Sequence, residues 1–145
     1  QAAERVESWV REAIDKGARL LTGLARSGAQ MNATVIADLP ATARMSCDEV
    51  FGPVVAINGF TELNDAVQQA NATPYGLQAG VFSRSLDRAF GAARGLRVGG
   101  VMINNIPTFR ADPMPYGGMK DSGLGREGPR YAIQEMTEVK IICWR

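Results

Sequence analysis

Two stretches of the chain carry residue types and spacings suited to chemistry. The first is Asp48-Glu49-Val50-Phe51-Gly52-Pro53. In an extended segment residues i and i+2 point to the same side, so Glu49 and Phe51 are expected to present a carboxylate and an aromatic ring together. A carboxylate accepts hydrogen bonds from both hydroxyls of a ribose, and a ring packs beside a flat heterocycle. The second is the glycine-rich stretch from Met114 to Gly128. Its Gly123-Leu-Gly125-Arg-Glu-Gly128 matches G-x-G-x-x-G by letter. A dinucleotide fingerprint needs a strand just before it and an acidic residue about 20 positions on. A glycine-rich loop precedes it and position 143 is Cys, so it is read as a loop rather than a phosphate cradle.

Other chemistry is excluded by composition. The 145 residues contain no histidine, which removes Cys-His and Ser-His nucleophiles and most transition-metal sites. Cys47 and Cys143 lie far apart, without metal-ligand spacing, and are expected to be reduced structural residues of a cytoplasmic protein. A net charge of +1 gives no footprint for nucleic acid or an anionic membrane surface. No apolar run approaches the ~18 residues of a membrane span. Asn32-Ala-Thr34 and Asn71-Ala-Thr73 match the glycosylation acceptor and are expected to be chance matches.

The elements that must position these residues follow from periodicity. Val6, Trp9, Val10, Ala13 and Ile14 share one face of an opening helix that Gly17 closes. That helix starts without a capping residue, as expected of a chain cut from something longer. Ala18–Thr22 and Thr34–Ala37 read as short strands. Val54–Ile57 is an apolar, β-branched run of the kind buried on both faces of a sheet. A helix capped by Thr61 and running to Ala70 follows, with Leu63, Ala66, Val67 and Ala70 on one face. Next come a strand at Leu77–Phe82 and a helix at Ser85–Leu96 that aligns Leu86, Ala89, Phe90 and Ala93. A strand at Gly99–Asn104 completes the alternation. This βαβαβ order predicts an α/β fold, a mostly parallel sheet covered by helices. From Asn105 to Gly128, three prolines and five glycines make a long irregular loop. A helix over Arg126–Met136, with Pro129 in its first turn, and a strand over Glu138–Trp144 end the chain.

Five motifs in order carry a resemblance. Glu-Val-Phe-Gly-Pro-Val at 49–54, Pro-Tyr-Gly-Leu at 74–77 and Val-Met-Ile-Asn at 101–104 resemble aldehyde dehydrogenases. Pro-Tyr-Gly-Gly-Met-Lys-Asp-Ser-Gly at 115–123 and Met-Thr-Glu-Val-Lys at 136–140 do so as well, and the resemblance spans essentially the whole chain. It implies that Glu49 holds the nicotinamide ribose of NAD or NADP and that Phe51 lies against the nicotinamide side. It places Asn104 near the catalytic loop, and Phe109 and Tyr116 on the wall of the aldehyde pocket. Many members of the family have Phe where Tyr116 stands. Pro107-Thr108-Phe109-Arg110 resembles the lactaldehyde and phosphonoacetaldehyde branch, and Arg110 is expected to favour a small polar or anionic aldehyde.

The resemblance further implies that residues 1–136 are the C-terminal part of a catalytic domain. Residues 137–145 would then be a strand that joins a second subunit in a homo-oligomer. The nucleophilic Cys, the general-base Glu and the Rossmann-like domain of the family are expected upstream, in a longer parent. The parent's chemistry would be thiolate attack on the aldehyde, hydride transfer to NAD(P) and thioester hydrolysis. On this reading the chain alone is inactive. The alternative is a stand-alone, non-catalytic assembly or binding module with the same fold.

Overall fold

The computed structural model describes all 145 residues, which divide into a unit of Gln1–Thr61 and a unit of Glu62–Arg145. The first unit opens with helix α1 (Ala2–Asp15), followed by strands β1 (Arg19–Thr22), β2 (Arg26–Ser27), β3 (Gln30–Met31) and β4 (Thr34–Ala37). A 3-10 turn at Arg44–Ser46 and strand β5 (Val54–Ile57) complete it. The apolar stripe of α1 buries Val6, Val10 and Ala13, with Trp9 and Ile14 half-buried at its margins. Val10 and Ala13 join Ala18, Ile36 and Ala43 in one core. The sheet runs β1-β4-β5, with β1 antiparallel and β5 parallel to the central β4. Central position explains why Thr34, Ile36 and Ala37 of β4 are buried. On the polar side of α1, Glu7 accepts from Arg11 at 2.8 Å and from Arg26 at 2.5 Å. The Arg26 bond, then the Arg11 bond, holds its carboxyl below the usual carboxylate range.

Burial on both faces of Val54–Ile57 does not occur. Val54 is half-buried and the rest of β5 is exposed. The strand sits at the edge of its sheet with β4 as its one neighbour, so its apolar side chains have little within the unit to pack on.

The second unit contains α2 (Leu63–Asn71), β6 (Tyr75–Gly76), β7 (Gln78–Val81), α3 (Leu86–Gly95), β8 (Gly100–Ile103), β9 (Met119–Lys120) and α4 (Pro129–Glu135). Strands β7 and β8 pair in parallel, and α3 connects them. This is the βαβ crossover that the alternation foretells. Ser85 caps α3 by accepting from the Arg88 N–H at 3.4 Å, whereas α2 starts one residue later than expected, with Glu62 rather than Thr61 at its cap. Helix α3 buries Ala89 and Ala92, and Leu86 and Phe90 stay exposed. Pro129 occupies the first turn of α4, where its missing N–H costs nothing.

Two further expectations change. Parallel pairing is confined to β4–β5 and β7–β8; the pairs β1–β4, β2–β3 and β6–β9 are antiparallel. The ladders are thus short and mixed rather than one mostly parallel sheet. Glu138–Trp144 forms no strand: Val139 is 95% and Trp144 97% exposed. A strand needs a ladder partner for its N–H and C=O groups, and this segment has none within the chain.

Candidate functional site

The loop carrying Glu49 and Phe51 belongs to the first unit and is pinned along its length. The Asp48 N–H donates to the Arg44 carbonyl at 2.9 Å, and the Arg5 guanidinium donates to the Val50 carbonyl at 3.0 Å. Beyond the loop, the Thr34 N–H donates to the Pro53 carbonyl at 2.8 Å. Gly52 lies so close to buried Val6 that a Cβ there would come within 2.7 Å of Val6 Cγ2. The segment is not extended at Phe51, whose φ of +46° is left-handed, so the i, i+2 argument for a shared side fails there. A bulky residue in this region is strained by about 1–3 kcal/mol and persists where its surroundings over-determine it. The result is a phenyl ring held 74% exposed on a fixed backbone. Glu49 is also exposed, and none of the chain's ion pairs engages it. The loop thus carries a free carboxylate, which can accept from hydroxyls, and an exposed ring, which can pack beside a flat group.

The other sequence-selected residues lie in the second unit. Asn104 has a left-handed φ of +54°, which Asn tolerates. Its Oδ1 accepts from the Ser83 N–H at 2.8 Å, and its own N–H donates to the Val81 carbonyl at 2.7 Å. Asn104 therefore ties the end of β8 to the end of β7. It lines an open cavity of about 700 Å³ with Phe82, Ser83, Arg84 and Leu86. Phe109 is exposed in a turn closed by its N–H on the Ile106 carbonyl at 3.2 Å.

Arg110 and Tyr116 are brought into contact. The guanidinium carbon lies 4.5 Å from the centre of the Tyr116 ring, within cation–π range. The same guanidinium pairs with Glu127 Oε2 at 2.8 Å. Tyr116 and Glu127 exchange both backbone hydrogen bonds, at 3.1 and 2.6 Å, which fixes the carboxylate beside the ring. Glu127 was not foreseen; in the sequence it is one of two carboxylates, with Asp121, inside the glycine-rich run.

Two of the five motifs meet through strand pairing. Tyr75 and Gly76 of β6 pair with Lys120 and Met119 of β9. The Asp121 N–H donates to the Pro74 carbonyl at 3.0 Å, and the Gly76 N–H to Ser122 Oγ at 2.9 Å. Lys120 Nζ reaches the Thr73 carbonyl at 2.8 Å. The loop is thus ordered by its own polar groups and encloses a cavity of about 490 Å³ lined by Leu77, Tyr116, Ser122, Arg126, Glu127 and Met136. Gly123, Gly125 and Gly128 all adopt positive φ. The Arg126 N–H donates to Glu135 Oε1, which would lie 2.9 Å from a Cβ on Gly125. A carboxylate there opposes a phosphate, in keeping with the reading of this run as a loop. Cys47 and Cys143 are free and exposed, so neither has the packed, structural position expected of it.

The family profile described as Aldehyde dehydrogenase family matches residues 1–142. The chain belongs to the aldehyde dehydrogenase family. Among curated relatives, the 3-sulfolactaldehyde dehydrogenase of Priestia aryabhattai is 46% identical over 140 residues, covering 97% of this chain and 29% of that protein. The lactaldehyde dehydrogenase of Methanococcus aeolicus is 44% identical over 141 residues, covering 97% and 30%. Among solved structures, aldehyde dehydrogenase 21 from Physcomitrella patens, in complex with the reaction product succinate, has a TM-score of 0.93 at 46% identity. That match covers 99% of this chain and 30% of that one. A glyceraldehyde-3-phosphate dehydrogenase from Methanocaldococcus jannaschii, complexed with NADP, has a TM-score of 0.88 at 40% identity, covering 96% and 30%. The chain therefore spans less than a third of the length of these aldehyde dehydrogenases. No helix is long and apolar enough to cross a membrane.

Proposed function

We propose that these residues form the C-terminal part of an enzyme that oxidises a small aldehyde to a carboxylic acid. In that enzyme they shape the nicotinamide end of the cofactor site and the substrate mouth. The observation that carries this is the pinned 48–53 loop, which presents the Glu49 carboxylate and the strained, exposed Phe51 ring. Glu49 would accept hydrogen bonds from the two ribose hydroxyls, and Phe51 would pack against the nicotinamide side. When bound, NAD or NADP supplies the hydride acceptor. Asn104 would order the backbone at the inner end of the substrate mouth, while Phe109 and Tyr116 would form its wall. Arg110 would attract a polar or anionic substrate tail, which fits relatives named for sulfolactaldehyde and lactaldehyde.

The thiolate and the general base would come from elsewhere in the longer enzyme, since neither Cys47 nor Cys143 lies in the 48–53 loop or among residues 104–116. Residues 137–145 would gain a ladder partner by adding to the sheet of a second copy, which gives their exposed Val139, Ile141, Ile142 and Trp144 a surface to cover.

The reading is tested by following NAD(P) reduction with a small hydroxyaldehyde. We expect no turnover from the 145 residues alone, and turnover from the longer polypeptide that carries them. Turnover by the isolated chain, or none by the longer one with any small aldehyde, would overturn it.

A further inference from the structure

We infer that Glu127 is a specificity-determining residue, setting how strongly the substrate mouth prefers anionic over neutral aldehydes by sharing the Arg110 guanidinium. The inference rests on the reading of Arg110 as the group that meets the substrate tail.

Arg110 is held from two sides. The Tyr116 ring supports one face at 4.5 Å, and Glu127 Oε2 accepts from one terminal nitrogen at 2.8 Å. Side-chain exposure is 46% for Arg110 and 64% for Glu127, so both charged ends face solvent and an arriving anion can reach them. A guanidinium has five N–H donors in a fixed fork, and one contact to Glu127 leaves others free. The remaining fork can still pair with a substrate carboxylate, sulfonate or phosphonate. The Glu127 charge, however, offsets part of the field with which Arg110 would draw such an anion.

The backbone that carries the carboxylate is fixed beside Tyr116 by the reciprocal hydrogen bonds. The following Gly128, at φ +113°, leaves only 2.7 Å between a Cβ and the Met114 carbonyl, which fixes the turn into α4. Glu127 thus positions Arg110 over Tyr116 and at the same time tempers it. This arrangement suits small polar aldehydes, of which anionic ones are favoured only moderately.

The test uses Glu127→Gln in the longer enzyme, because an amide oxygen keeps the hydrogen bond to Arg110 while removing the charge. Specificity constants are measured for an anionic aldehyde and for its uncharged methyl ester. The expected result is a rise of roughly two- to fivefold in the anionic-to-neutral ratio, the range of a solvent-exposed ion pair. The rise should shrink with added salt and vanish in an Arg110→Ala background. An unchanged or lowered ratio for Glu127→Gln, or equal losses on both substrates, overturns the role of Glu127. Arg110→Ala alone separates this from the underlying reading: if it leaves the ratio unchanged, Arg110 does not meet the substrate tail.

Discussion

Gly99→Ala is expected to destabilise the second unit by about 3 kcal/mol, the upper end of what overpacking costs when backbone must move. The Gly99 N–H is tied to the Gly76 and Leu77 carbonyls, both at 3.0 Å, at the entrance to β8. On its other side a Cβ would run into the Gly117 carbonyl, and Gly117 and Gly118 begin the run into β9. Neither side can yield cheaply, because one carries the β6–β7 segment and the other the glycine-rich loop. Hydrogen exchange resolves the effect by unit. Amides of β7 and β8 should lose protection while those of β4, in the first unit, keep theirs. Equal protection of β7 and β8 in the variant would show that the contact between Gly99 and Gly117 is not required.

Phe51→Gly is expected to separate stability from function. Glycine adopts a positive φ freely, so relief of strain should outweigh its extra chain entropy and stabilise the first unit by about 0.5–1 kcal/mol. Little burial is lost, since the ring is already largely exposed. Cofactor affinity of the longer enzyme should fall about five- to tenfold, consistent with an aromatic contact worth about 1 kcal/mol or more. Urea denaturation and cofactor titration give the two readings. A destabilised variant with unchanged affinity would mean that the ring serves packing and not the cofactor.

The legible parts of the sequence are those decided by local periodicity. The 3.6-residue stripe from Val6 to Ile14 becomes α1 with Val6, Val10 and Ala13 inside. Thr34–Ala37 and Val54–Ile57 are strands with the expected bounds, and Ser85 caps α3. What is not seen within the single chain depends on partners that local pattern cannot name. The apolar run Val54–Ile57 looks buried because its residue types suit a sheet interior, yet β5 is an edge strand in this chain. Glu138–Trp144 has strand-forming residues but no ladder to join. Tyr75–Gly76 pairs with Met119–Lys120 across more than forty intervening positions, a contact with no short-range signature.

The candidate site divides in the same way. Glu49 and Phe51 could be selected from their chemistry, but an extended backbone could not foretell the left-handed turn at Phe51. Arg110 stands out in the sequence as a cation next to an aromatic residue, Phe109. Its partner Glu127 lies seventeen positions on, and only the fold-back of Tyr116 onto Glu127 brings the two together.

The most direct test of the central claim is cofactor binding to Glu49→Gln in the longer enzyme. Gln keeps the size of the side chain but removes the charge that strengthens hydrogen bonds to the ribose hydroxyls. Titration with NAD and with NADP should show the better of the two bound about tenfold or more weakly than by the unaltered protein, the cost of losing a charged hydrogen-bond partner. Unfolding in urea should be unchanged, because Glu49 is exposed and makes no ion pair. Unchanged affinity for both cofactors would contradict the assignment of this loop to the nicotinamide ribose.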